Sequence, residues 1–454
     1  MARVVVVGGG WAGCAAALAA RKAGAEVILL ERTDQLLGTG LVGGIMRNNG
    51  RFTAAEEMIA LGGGELFRVT DAVARHQGVE FPGHHHATLY DVARVEPRVR
   101  RLLGEMGVEV YLRHRVTDVQ VEGNRLQVVD AAAPDGKGRW EADAFVDATG
   151  SAGPQGNCTR YGNGCCMCIL RCPSFGPRVS LAGRAGAREK MSRTRTGQVG
   201  AMSGSCKILK ESLSPELQTQ LNREGVAVVA LPVELRKADL SKKACQQYAL
   251  PDFAENLVLL DTGHAKLMTS YFPLAALRSV PGLETARYED PYAAGLGNSI
   301  RYLAMSPHDE TLRVEGFANL FCGGEKVGPL VGHTEAICTG TLAGWNAARQ
   351  AQGLSLLVLP PTLAVGDAIS AVTRLMRGPE EELTEKYTFS GSVYFQRMKD
   401  LGFYTTDVGA IARRVQETGL EGVFAGARGW ARITANKMTT NKIMSKEVAH
   451  DRTA

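Results

Sequence analysis

The chain has 454 residues, 45% of them hydrophobic and 22% charged, and a net charge of +5. That is the composition of an ordinary globular protein of two or three domains with a sizeable core. It offers no run of eighteen apolar residues for a membrane-spanning helix. The first strand begins at Arg3, which leaves no room for a cleavable signal, so a cytoplasmic setting and no membrane partner are expected. In that setting the ten cysteines should be largely reduced.

The N-terminal stretch RVVVVGGGWAGCAAALAARKAGAEVILLER organises the reading. Val4 to Val7 form an apolar, β-branched strand suited to burial on both faces. Gly8, Gly10 and Gly13 follow as G-x-G-x-x-G, with Trp11 and Ala12 between them. A small-residue helix then runs to Gly24, and a second apolar strand spans Val27 to Leu30. Glu31 closes that strand, followed by Arg32. The first glycine allows the turn, the second lets backbone approach a pyrophosphate, and the third lets helix and sheet pack closely. The helix N-terminus offers N–H groups to phosphate, and Glu31 stands where a carboxylate accepts ribose hydroxyls. The strand, helix and acid around the glycines point to a dinucleotide; the alternative is a glycine-rich turn without ligand.

Gly38 to Gly44 is a second glycine-rich loop, followed by an Arg47-Asn48-Asn49-Gly50 turn and a helical stretch, Ala54 to Leu61. His84 to His86 follow Pro82-Gly83 and read as a solvated loop. Tyr90 to Met106 has the pattern of an amphipathic helix. Gly107 to Val121, including Val116, reads as one strand, turning at Glu122-Gly123-Asn124 toward a partner from Leu126 to Ala131. Further on, AFVDATGSAG (Ala144 to Gly153) ends an apolar strand in Thr149-Gly150, and LFCGG (Leu320 to Gly324) precedes Glu325. A helical pattern follows from Thr334 to Arg349.

These three segments, in this order, resemble the two-dinucleotide-binding flavoproteins. The resemblance implies an α/β fold with a discontinuous Rossmann-like FAD domain, residues 1–155 plus 310–350. An inserted, cysteine-rich α+β substrate domain would span 156–309, and a mostly helical C-terminal region 351–454. Val226 to Leu231 and Asn256 to Asp261 are strands of the insertion. The cofactor-binding residues so implied are Gly8, Gly10, Trp11, Ala12, Gly13, Glu31, Arg32, Val116, Thr149, Gly150, Gly323, Gly324, Glu325 and Thr334. In such proteins the residue after the last strand lies near the ribityl chain, and the next helix aims its N-terminus at the flavin pyrimidine.

Leu320 to Arg349, LFCGGEKVGPLVGHTEAICTGTLAGWNAAR, is similar to the flavoenzymes that modify tRNA uridines. These are the folate- and FAD-dependent uracil-5-methyltransferase and the larger FAD subunit of the carboxymethylaminomethyl-uridine enzyme. LPPTLAVGDA (Leu359 to Ala368) and RTRTG (Arg193 to Gly197) add to the likeness. One departure stands out. The methyltransferase has a cysteine in the loop after its first βαβ unit, where this chain reads GTGLVGGIMRNN.

Residues 157–178 hold five cysteines: Cys158, Cys165, Cys166, Cys168 and Cys172. Four roles are open to them. Cys165, Cys166 or Cys168 would serve as a catalytic thiolate beside the flavin, favoured by basic surroundings. Cys165, Cys168 and Cys172, with Cys158 or Cys166 as the fourth ligand, would hold an iron–sulfur cluster or zinc, although the spacing lacks one ligand of the ferredoxin pattern. The fourth role is core packing. From Arg178 to Lys210 the chain carries a local charge of +7. Arg193 and Arg195 are the candidate contacts there for tRNA phosphates, a folate tail or NAD(P)H, a solvated face being the alternative.

The expected function is an FAD-dependent oxidoreductase, with electrons or a one-carbon unit passed by reduced flavin. NAD(P)H as a small-molecule donor and methylenetetrahydrofolate are the implied co-substrates. Two other readings remain: an electron-transfer flavoprotein subunit with an iron–sulfur cluster, and a non-catalytic flavin-stabilised RNA-binding protein.

Overall fold

Five parallel strands carry the nucleotide-binding unit, in a computed structural model that describes residues 1–153, 172, 174–194, 197–236, 248–269, 271–290 and 298–426. The first three elements are β1 (Arg3–Val7), α1 (Trp11–Lys22) and β2 (Glu26–Glu31). Val4, Val5 and Val6 have no exposed surface, as a strand buried on both faces requires. After β2 come α2 (Gly50–Ala60) and the hairpin β3 (Ala74–Phe81) and β4 (His84–Tyr90). Next are α3 (Val92–Glu105), β5 (Glu109–Leu112), the antiparallel strands β6 (Arg115–Glu122), β7 (Arg125–Ala133) and β8 (Gly136–Glu141), and β9 (Ala144–Asp147).

Three local expectations are corrected here. The histidine triplet is not a solvated loop: His84 opens β4, is fully buried and stacks on Phe81 at 4.5 Å. The helix expected from Tyr90 starts later, because the Asp91 carboxylate accepts from the N–H groups of Ala93 and Arg94 and sets the N-terminus at Val92. Gly107 to Val121 is two strands in two sheets. β5 pairs with β2; Arg113 then takes φ 60°, and the N–H groups of Arg113 and His114 donate to Thr33 and Glu31 oxygens at 2.8 and 2.9 Å. A corner of this kind puts a non-glycine residue in the left-handed region, which no hydrophobic pattern announces.

The middle of the chain builds an antiparallel sheet with its own core. Its strands are β10 (Cys206–Ile208), β11 (Val226–Ala230), β12 (Asn256–Asp261) and β13 (Ala265–Leu267), in the order β10-β13-β12-β11. The segment Asn298–Arg301, paired antiparallel with Ala201–Gly204, leads back to the parallel sheet. β14 (Leu320–Cys322) completes that sheet in the order β14-β9-β1-β2-β5. Then follow α4 (His333–Ala351), α5 (Ala364–Arg377), α6 (Ser392–Asp400) and α7 (Val408–Glu417).

α4 lies against α1 through glycine. A Cβ at Gly340 would sit 2.2 Å from the Ala12 carbonyl oxygen, and one at Gly344 would sit 2.0 Å from that of Ala16. The C-terminal helices pack into the same hydrophobic core as the parallel sheet. Buried carboxylates pin them there. Glu57 accepts from the Ala364 and Val365 N–H groups at 3.0 Å, satisfying free donors of α5. Glu335 accepts from Arg51 at 3.1 Å, from the Thr388 hydroxyl at 2.7 Å and from the Phe389 N–H at 2.9 Å. Among the described residues no helix is long and apolar enough to cross a membrane.

Candidate functional site

A cleft opens at the C-terminal ends of β1, β9 and β14. Ligands of open α/β sheets bind at such ends. β1 delivers Gly8 and Gly10 to it, and α1 begins there with Trp11 and Ala12. Gly10 is extended backbone, and a Cβ added to it would meet nothing within 4 Å. Gly8 has φ 101°, and a Cβ there would lie 2.4 Å from the Ala148 carbonyl oxygen. Gly13 does not line the cleft. A Cβ on it would lie 1.7 Å from the Gly8 carbonyl oxygen, so its role is to let helix meet turn.

Glu31 ends β2 at the cleft wall and is 8% exposed. Its two oxygens are fixed separately, one by the Gly9 N–H and one by the Thr33 N–H, both at 2.8 Å. The first of these, Oε2, keeps an open lone pair for a ribose hydroxyl, whereas Oε1 also accepts from the Thr33 hydroxyl at 2.9 Å. Arg32 and Val116 line the same end. Thr149 and Gly150 form the turn after β9, held by Asp147, which accepts from the Thr149 N–H at 3.0 Å and its hydroxyl at 2.6 Å. Gly323, Gly324 and Glu325 follow β14 on the opposite wall.

Thr334 is not in the wall. It is fully buried, with its hydroxyl against the Met46 sulfur at 3.7 Å. The cleft instead meets His333, the first residue of α4. Ser151 of the Ala144–Gly153 motif and Arg178 of the basic stretch line the cleft as well. Sequence reasoning passed over Arg115 and Arg301, which also line it and belong to no glycine-rich motif. Arg301 is paired with Glu325.

The walls are tied together by a buried ammonium. Lys326 follows Glu325 and has no exposed surface. Its Nζ donates to Ser180 Oγ at 2.8 Å, to the Ala304 carbonyl at 2.9 Å and to Glu189, with Asp147 at 3.6 Å. Burial works against the charge, but Asp147 and Glu189 outweigh it and hold the Lys326 pKa above its ordinary value. Nearby, Lys266 donates to the Val42 carbonyl at 2.7 Å and to Ser205 Oγ at 2.8 Å. Burial, then Lys207 and Arg301, pull its pKa down to about 7.

Of the basic stretch, Arg178 lines the cleft, while Arg184 and Arg188 are exposed. Lys190 caps the end of α5 through the Met376 and Gly378 carbonyls at 2.7 and 2.6 Å, and Lys210 pairs with Asp261 at 3.1 Å. Arg193 is half-buried and donates to the Gly197 carbonyl at 3.3 Å. Arg195 lies outside the described residues, as do Cys158, Cys165, Cys166 and Cys168. Cys172 is buried. Among the described residues no group of histidine, cysteine or carboxylate side chains is arranged to hold a metal.

The arrangement fits FAD on its own geometry. Gly10 leaves open space where a phosphate must approach, Glu31 presents an ordered acceptor at one end, and the N–H groups of α4 face the other.

Residues 3–153 match the family model described as FAD dependent oxidoreductase, and residues 260–355 the one described as glucose inhibited division protein A. A methylenetetrahydrofolate–tRNA-(uracil-5-)-methyltransferase, TrmFO of Methylorubrum extorquens, is 35% identical over 124 residues, 27% of this chain and 24% of that protein. The chain thus spans about a quarter of the length of that curated relative. The tRNA uridine 5-carboxymethylaminomethyl modification enzyme MnmG of Thermus thermophilus is 28% identical over 408 residues, 79% of this chain and 66% of that protein. The solved structure of Aquifex aeolicus GidA superposes with a TM-score of 0.68 at 18% identity, covering 97% of this chain and 76% of that one. That likeness carries the fold.

Proposed function

We propose, for a chain that belongs to the family of the FAD-dependent tRNA uridine-modifying flavoenzymes, that it holds FAD along the cleft and acts on a uridine base of tRNA. FAD, when bound, supplies the capacity to accept and return a hydride. The chain's own residues do the rest. The α1 N-terminus and Gly10 receive the pyrophosphate, and Glu31 accepts a ribose hydroxyl. Thr149 and Gly150 close over the middle, and the α4 N-terminus stabilises negative charge at the far end. The observation that carries this reading is the open space at Gly10 between Glu31 and α4, in one continuous cleft.

The names of the relatives supply the substrate class and methylenetetrahydrofolate as one-carbon donor; NAD(P)H is the electron donor of this reading. The exposed Arg184 and Arg188, with Arg193 and Arg195 following in the sequence, support an anionic partner of the tRNA kind.

The test has two stages. The purified chain should show flavin absorbance with one FAD per chain; a colourless protein that takes up no added FAD refutes the cofactor. The flavoprotein is then incubated with tRNA, methylenetetrahydrofolate and NADPH, and the nucleosides are read by mass spectrometry. A methylated or otherwise C5-modified uridine supports the reading, and unchanged uridine throughout refutes the substrate. Reversing charge at Arg193 and Arg195 should weaken tRNA binding and flatten its salt dependence.

A further inference from the structure

His333 is held in one orientation. Its ring lies 6.2 Å from Trp11 and 6.4 Å from Tyr90, centroid to centroid. Gly43 presses on it from a third side, where a Cβ would come within 1.6 Å of the imidazole Cε1. The neighbours also fix the tautomer. The Tyr90 hydroxyl donates its one proton to the Gly40 carbonyl at 2.9 Å, and the same oxygen lies 3.3 Å from His333 Nδ1. A hydroxyl whose proton is committed can only accept, so Nδ1 carries the hydrogen and donates it to Tyr90. In a neutral imidazole the other nitrogen then bears a bare lone pair. Nε2 makes no hydrogen bond with any described residue and is not a sealed-off atom, and the ring is one of the cleft's walls.

The surroundings keep the ring neutral. Burial, followed by Arg51 on α2, Lys266 on β13 and Arg301 on the returning segment, holds the His333 pKa well below the ordinary histidine value. The acids nearby are committed elsewhere: Glu335 on α4 to Arg51, and Glu325 to Arg301.

We propose that His333 is a hydrogen-bond acceptor of this cleft: its bare Nε2 lone pair receives an N–H or O–H of the group bound in front of the α4 N-terminus and fixes that group's orientation, while the hydrogen stays on the donor. Nδ1–H stays with Tyr90. Acceptor atoms of the same bound group face the unpaired N–H groups of the first turn of α4. The tautomer stands on the fold alone, whereas the donor's presence rests on the flavin reading above.

The experiment is long-range proton–nitrogen NMR of the full chain labelled with 15N-histidine, from pH 5.5 to 8, with and without FAD. The His333 signals are identified by their loss in His333→Asn, or in His333→Gln if the first variant does not fold. The expected result is an Nδ1–H tautomer that does not titrate over this range and moves to a mixture or to Nε2–H in Tyr90→Phe. An Nε2–H tautomer in the parent, or an imidazolium, overturns the proposal. With FAD retained, the Nε2 resonance should shift as a lone pair that has gained a hydrogen bond. A yellow protein with an unmoved Nε2 overturns the proposal and leaves the cofactor reading standing, whereas a chain that takes up no FAD removes both.

Discussion

Gly344→Ala tests the contact that sets the two walls of the cleft against each other. The added Cβ would stand 2.0 Å from the Ala16 carbonyl oxygen and 2.5 Å from its carbon, both backbone atoms that no rotamer change can move. Carbon contacts are optimal near about 3.5 Å, so α1 and α4 must separate by on the order of 1 Å. Overpacking a tight core costs about 1–3 kcal/mol, and backbone on both sides puts this site at the upper end. Replacing a helical glycine by alanine returns about 1 kcal/mol, which leaves a net loss of about 2 kcal/mol. Gly104→Ala is the control. It is exposed in α3 with nothing within 4 Å of the new Cβ, so only the gain of up to about 1 kcal/mol remains. One chemical change therefore has opposite signs at two sites: a thermal midpoint lower by a few degrees for Gly344→Ala and slightly raised for Gly104→Ala. Flavin content should fall only in the first, because His333 and Gly10 sit on the parted helices. A Gly344→Ala protein as stable and as yellow as the parent would refute the close packing of α1 on α4.

Gly10→Val should melt like the parent when both are stripped of FAD, because its side chain meets open space, yet bind no flavin; retained yellow colour contradicts the pyrophosphate assignment. Gly13→Ala should instead lower the melting point of the apoprotein, since its Cβ meets the Gly8 carbonyl oxygen at 1.7 Å. Burial holds His264, His308 and His333 below the usual histidine pKa. The unfolded chain therefore binds protons that the native one refuses, and stability should fall below about pH 6.5 by roughly 1.4 kcal/mol per pH unit for each histidine. The buried thiols of Cys14, Cys322 and Cys338 are pushed up, so stability should also fall above about pH 8.5, where the unfolded thiols ionise. A melting point that is flat from pH 5 to 10 would contradict both arms. Asp261 faces Arg75, His76 and Lys210 at 2.9, 3.0 and 3.1 Å; burial works to raise its pKa, and these partners outweigh it. Asp261→Asn should cost about 2 kcal/mol at neutral pH, less than a fully buried pair because Arg75 is partly in water. A variant as stable as the parent would show that the three cations do not depend on that carboxylate.

The sequence by itself determined the nucleotide-binding frame. Val4 to Val7, the three glycines and Glu31 are local features. A β-branched run, a turn whose first and third glycines leave no room for a Cβ, and an acid at the next strand end act within thirty residues, so spacing alone reveals them. The same holds for Thr149-Gly150 and Gly323-Gly324, which line the cleft from the ends of β9 and β14. What only tertiary structure decided involves residues far apart in the chain. The likeness to the flavoproteins indicated that the helix after Gly324 aims at the cleft. Whether Thr334 or His333 meets that cleft depends on the helix's rotation about its axis, which Gly340 and Gly344 set by packing on Ala12 and Ala16. His84 looked solvated because three adjacent histidines carry no apolar signal; its ring lies against Phe81 across the hairpin and against Tyr248, more than 160 residues away in the chain. The +7 stretch reads as one patch in the sequence, but Lys190 and Lys210 turn inward to a helix end and a buried aspartate. Charge is counted along a chain, whereas ion pairs form across space, and a side chain's partners exist only once the strands between them are in register.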